Sequence, residues 1–235
     1  MAAHRAALSE FLPTFRRMTE RLIDPSFLFR FTLPCRYVKE SWTAEGITLN
    51  ESYALPALQT LDGAPPLADV RAGWNENGLY FTALVEGKRQ HPWCRDGAID
   101  ESDGLHLWID TRDTQNIHRA SRFCHRLAFI PSGGGSRRQD PVAGQLVIQR
   151  AREQCKPIPP RKLGVRSENR LGGYYLQVFI PGEVLTGFDP VEHPRLGFMY
   201  AVVDRERGTQ TLSVSTELPY QDDPSLWVSL ELQKR

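Results

Sequence analysis

The chain lacks any long hydrophobic run. Across 235 residues that are 40% hydrophobic, no stretch approaches the roughly 20 apolar residues a membrane-spanning helix needs. Met1–Arg21 has no continuous apolar core, and its arginines and glutamates make it neither a secretory leader nor an anchor. Cysteine is scarce: Cys35, Cys94, Cys124 and Cys155 are widely scattered, with no Cys-x-x-Cys pair. That excludes a dense disulfide framework and, with no leader, leads us to expect reduced thiols in a cytoplasmic protein. No charge of one sign dominates either. Twenty-nine basic residues against 28 acidic ones leave a net charge of +1, so bulk electrostatics favours neither a nucleic-acid nor a membrane partner. Internal repeats and a Gly-x-Ser-x-Gly nucleophile motif are also missing. Ser132-Gly133-Gly134-Gly135-Ser136 has no Lys-Ser/Thr ending and no helix after it, so it is a hairpin loop and not a phosphate cradle.

What is present is a succession of short strand patterns. The length suffices for one large domain, residues 26–235, behind a short N-terminal helical extension, residues 1–25. Leu8, Leu12, Phe15, Met18 and Leu22 follow helical spacing until Asp24-Pro25 stops them. Phe27, Phe29, Phe31 and Leu33 then alternate as in a strand. Trp74–Phe81 predicts a hairpin turning on Asn77-Gly78, where positive φ angles come easily. Further strands are expected at Leu79–Glu86, Leu105–Thr111, Phe123–Ile130, Gln145–Ala151 and Leu163–Ser167. Others are expected at Tyr174–Ile180, Leu196–Asp204, Gln210–Ser215 and Trp227–Leu232, with one helical turn at Pro181–Leu185. Many short strands with turns between them and almost no helix specify an all-β, antiparallel sandwich of the jelly-roll type.

The densest information lies in Asp100–Asp110, where an acidic loop runs into an alternating strand. Leu105, Leu107 and Ile109 fall on one face; His106, Trp108 and Asp110 fall on the other. Asp100, Glu101 and Asp103 are adjacent acids, which suits a calcium-binding or hydrogen-bonding loop better than a glycosidase pair, whose carboxylates face each other across a sugar. Calcium is thus the one cofactor left open. Asp110–Arg126 is rich in His, Cys and Arg. It allows a metal or anion site around His118, Cys124 and His125, although Cys124 and His125 are strand neighbours that point to opposite faces. Trp42, Trp74, Trp108 and Trp227 are assigned to packing.

Four segments in this order resemble the family-9 carbohydrate-binding module, within the wider DOMON-like group of β-sandwiches. They are Leu61-Asp62-Gly63 with Val70–Phe81, Asp103–Asp110, Gly173–Pro181, and Leu196–Asp204 with Leu212–Leu232, which carries Asp223-Pro224-Ser225. The resemblance implies a sandwich that holds a saccharide, or another small polar ligand, between two loop aromatics, with no catalysis. It carries the two aromatics onto Trp93 and Tyr220 and a hydrogen-bonding arginine onto Arg126. The family's glutamate position is occupied by His106, so this sequence departs there; Glu101 or Asp96, in a longer loop, would supply the acid. The alternative is a cytoplasmic interaction protein that keeps the sandwich, binds a protein partner and has lost the sugar.

Overall fold

A computed structural model describes residues 30–56 and 65–234. The expected N-terminal helix, the strand residues Phe27 and Phe29, and Leu61-Asp62-Gly63 lie outside the described residues.

Eleven strands make up the body: β1 Thr32–Tyr37, β2 Ala68–Asn75, β3 Gly78–Val85, β4 Gly104–Asp110, β5 Cys124–Gly134, β6 Asp140–Leu146, β7 Gly164–Arg170, β8 Gly173–Pro181, β9 Arg195–Asp204, β10 Gly208–Thr211 and β11 Val228–Leu232. The only helical pieces among the described residues are single 3₁₀ turns, including the expected one at Gly182–Val184. The strand order is β6-β5-β4-β9-β11-β1-β2-β3-β8-β7, with β10 also on β9. One layer is β6-β5-β4-β9 with β10 and β11; the other is β2-β3-β8-β7. β1 joins them by pairing Thr32–Cys35 with β11 and Arg36–Tyr37 with β2. Both of these pairings are parallel, while all the other described strand pairings are antiparallel, as expected.

Alternation explains the layers. Leu105, Leu107 and Ile109 of β4 lie opposite Val202, Tyr200 and Phe198 of β9, and all six are fully buried. Phe81 of β3 stacks on Phe198 at 5.5 Å between ring centres, closing the core between the two layers. Burial of this kind stabilises by about 1.5–3 kcal/mol per large side chain. The opposite face of β3 and β8 is covered by residues 38–55. There Trp42 stacks on Phe179 at 5.9 Å, Phe179 stacks on Tyr80 at 4.9 Å, and Val38, Ile47 and Leu49 form a second small core.

Two local expectations are corrected. Glu76 and Asn77 are the central residues of the β2–β3 turn, because Asn75 pairs with Gly78. Gly78 instead opens β3 at φ +148°, where a Cβ would lie 2.1 Å from the Ile180 carbonyl oxygen. The strand expected at Gln145–Ala151 runs earlier, at Asp140–Leu146. Gly133 and Gly134 belong to β5, beyond a register shift after Ile130, and Pro141 is accommodated because β6 is an edge strand.

One buried ion cluster ties the loops at the start of β4. Lys88 Nζ lies 3.2 Å from Asp103 Oδ2, in closer contact with Asp204, and 4.0 Å from Glu206; the Lys88, Asp103 and Asp204 side chains are almost wholly buried. Burial alone would pull the ammonium pKa down, but its hydrogen bond to Asp204 and the charges of Asp103 and Asp204 leave it above the ordinary lysine value. Removing the cation strands two carboxylates out of water. Lys88→Met is therefore expected to destabilise the fold by about 3–5 kcal/mol. Denaturant unfolding checks this, and an unchanged midpoint would refute it.

Candidate saccharide-binding face

The outward residues of β4 are His106 and Trp108. Register sets Trp108 between Arg126 on β5 and Met199 on β9, and His106 between Ala128 and Ala201. Small neighbours on either side of His106 leave room for material above the sheet. Two loops provide it. From one side comes the β3–β4 connection: Ile99 lies so close over β6 that a Cβ on Gly144 would be 2.4 Å from its Cδ1. From the other side comes the β10–β11 connection, where the Gln221 carbonyl accepts the Trp108 indole N–H at 3.1 Å.

Between these loops two polar side-chain atoms have no hydrogen-bond partner among the described residues. His106 is 2% exposed and its Nε2 has no hydrogen bond. Desolvation, then the nearby Arg126 charge, push its pKa down to about 4, partly opposed by a hydrogen bond to the Ser102 backbone. The ring is therefore neutral at pH 7. Arg126 holds its guanidinium 5.3 Å from the Trp108 ring centre. Its Nε is buried without a partner, and Nη1 reaches only the Val147 carbonyl at 3.5 Å. Burial lowers the Arg126 pKa, while Asp100 and Asp222, one from each loop, act against that. Neither acid comes within ion-pair distance.

Tyr220 does not present a free ring face. It is 3% exposed and packs edge-on against Trp108, with ring centres 5.2 Å apart at 81°. Its backbone carbonyl accepts the Trp227 indole N–H at 2.8 Å, so the loop is pinned from both sides. The ring expected as a second platform is thus spent on packing against Trp108. Trp93 differs: it is partly exposed at the head of the other loop. Its backbone N–H donates to Asp103 Oδ2 at 3.0 Å, and the guanidinium carbons of Arg95 and Arg205 lie 4.7 and 4.9 Å from its ring centre. Glu101 is exposed, and no described hydrogen bond joins its side chain to the cluster.

The fold thus brings His106, Arg126 and Tyr220 together around Trp108 and places Trp93 at the root of the same loop as Asp100. Asp222, Arg95 and Arg205 were not picked out by sequence reasoning as binding groups, and Asp100 only as one of the acids of a calcium-binding or hydrogen-bonding loop. Trp108 was assigned to packing. It does pack, but it also forms the base on which Arg126 rests. The one signal for it was its place on the same strand face as His106.

The alternative sites disperse. Asp100 and Glu101 are exposed while Asp103 is buried on Lys88, so the three acids do not converge as calcium ligands. His118 is exposed, its Nδ1 3.1 Å from both Asp223 Oδ2 and Ser225 Oγ. Cys124 is buried, and desolvation is the main cause of its pKa rising to about 12. His125 points inward with Leu127, and its Nε2 accepts the Thr186 N–H at 3.0 Å. The expected cluster of His118, Cys124 and His125 is therefore not formed, and no metal-binding group of three or more His, Cys, Asp or Glu occurs among the described residues. A concavity of about 460 Å³, lined by Arg30, Gln115, His118, Asp223, Ser225 and Trp227, lies toward the other end of β4. Its polar groups largely satisfy one another.

No protein-family model matches the chain, and no curated protein matches it either. Solved structures do. A family-9 carbohydrate-binding module from Caldicellulosiruptor kristjanssonii in complex with cellotriose is similar with a TM-score of 0.59 and 11% identity, covering 87% of this chain and 95% of that one. The module from that organism in complex with glucose is similar with the same TM-score and identity, covering 87% and 97%. At this identity the likeness shows a shared fold.

The two buried histidines make stability depend on pH. His106 and His125 both have pKa values pushed down to about 4, against 6.5 in the unfolded chain. Above pH 6.5 both states are neutral and no linkage arises. As pH falls below 6.5 the unfolded state takes up protons that the folded state refuses, so stability drops, levelling off near pH 4. The expected loss is on the order of 3 kcal/mol per ring. Unfolding free energies measured from pH 7 to 4 test this: His106→Gln should flatten the slope, and an unchanged slope would show that His106 is protonated in the fold.

Proposed function

We propose that the protein is a non-catalytic saccharide-binding module whose ligand lies over the outer face of β4 and β5. The observation that carries this reading is the pair of unbonded polar atoms, His106 Nε2 and Arg126 Nε, set against Trp108 between two loops. Buried polar groups without partners are uncommon in folded proteins and call for an explanation such as a ligand. A sugar matches what is offered: its C–H faces stack on aromatic rings, and its hydroxyls both donate and accept. Trp93 supplies the stacking ring. Arg126 donates to hydroxyl oxygens, and neutral His106 accepts a single hydrogen bond, fewer than a carboxylate in its place would. Glu101 supplies a further acceptor from the β3–β4 loop. The shared fold supports the reading, since the similar module from Caldicellulosiruptor kristjanssonii was solved with cellotriose and with glucose.

Calorimetry against a panel of mono- and oligosaccharides, with and without calcium, tests the proposal. Trp93→Ala is expected to weaken binding by about 2 kcal/mol or more, roughly thirty-fold. Its melting temperature should be unchanged, because Asp103 holds the backbone of Trp93 and not its ring. A variant that binds as tightly as the wild type would remove Trp93 from the site. A wild-type protein that binds no sugar would end the saccharide reading.

A further inference from the structure

The charges around the site narrow the chemistry of the ligand. A partly buried guanidinium normally comes with a carboxylate, because leaving it unpaired out of water is costly. Arg126 has none within 4.0 Å, and its Nε is unbonded. His106, two residues from Trp108 on the strand paired with that of Arg126, is a neutral ring and gives it no counter-charge. Asp100 and Asp222 sense the Arg126 charge without pairing to it. The stacking residue carries the same bias. Arg95 and Arg205 both lie against the Trp93 ring, and neither forms an ion pair among the described residues. Trp93 and Asp100 both belong to the β3–β4 connection.

We infer, on the basis of the saccharide reading above, that the ligand is an acidic saccharide whose uronate carboxylate pairs with Arg126. A planar carboxylate matches the guanidinium fork through two parallel hydrogen bonds, which a single hydroxyl cannot form. His106 Nε2 then accepts from a neighbouring hydroxyl. Arg95 and Arg205 add a positive field at the stacking end, which favours further uronates along an oligomer.

Binding of galacturonate and glucuronate oligosaccharides is compared with binding of neutral gluco-oligosaccharides of equal length, by calorimetry on the full chain. Uronates are expected to bind about ten-fold tighter, with an affinity that falls several-fold from low to high salt while that for neutral sugars does not. In Arg126→Gln the ratio of uronate to neutral affinity should collapse to about one. The salt dependence of the wild type tests the inference even if that variant fails to fold. Equal binding of both classes, or a ratio that survives Arg126→Gln, overturns the acidic-ligand inference and leaves the saccharide reading standing. Binding of neither class overturns both. Preference for a sulfated neutral sugar over uronates overturns the carboxylate assignment.

Discussion

A single buried ammonium holds the business end of this sandwich together. Lys88 lies between Asp103, which immediately precedes β4, and Asp204, which ends β9, and it comes from the connection that leaves β3. Each carboxylate also organises its own loop. Asp103 accepts the backbone N–H groups of Trp93 and Arg205, and Asp204 accepts those of Glu206 and Arg207. Three chain segments are thereby fixed by charge-assisted hydrogen bonds that water cannot readily exchange. If Trp93 binds as proposed, the cost of ordering its loop is met on folding, which is what preorganisation means for a partly exposed aromatic.

The site is built by register more than by local sequence. His106, Trp108 and Arg126 meet because β4 and β5 pair as they do, and a slip by one residue would turn all three into the core. The loops then decide what remains open. Trp108 and Tyr220 fill one side with aromatic surface, and the Ile99 loop closes over β6 on the other.

Much of this was legible in the sequence. Strict alternation in Leu105–Asp110 and in Tyr174–Ile180 specified strands, their faces and the all-β class. The period of two is local, so it survives without knowledge of partners. Arg126 and His106 were identified through resemblance, and they lie on paired strands, Arg126 opposite Trp108 and His106 opposite Ala128. The rest depended on contacts distant in the chain. Nothing near Tyr220 announces that its ring will be covered by Trp108, more than a hundred residues away. Nor does Pro34 within β1 suggest two parallel pairings; Pro34 lies opposite Glu231 in a strand bonded on one side at that point. The strand expected at Gln145–Ala151 failed for a different reason. Glycines read as a loop can also extend a strand where another backbone presses close, as at Gly133, whose Cβ would lie 3.3 Å from Asp96 N.

The placement of β1 has a consequence for how the chain reaches this state. The first described strand lies between the two layers, and its neighbour β11 is the last described strand in chain order. Until β11 has been made, the edge of β9 that it covers stays open, and the seam between the layers cannot close. Closing the sandwich therefore waits on a pairing between strands far apart in the described chain. Such long-range closure slows folding and exposes unpaired strand edges meanwhile, so a nascent or C-terminally shortened chain would be a natural client for chaperones.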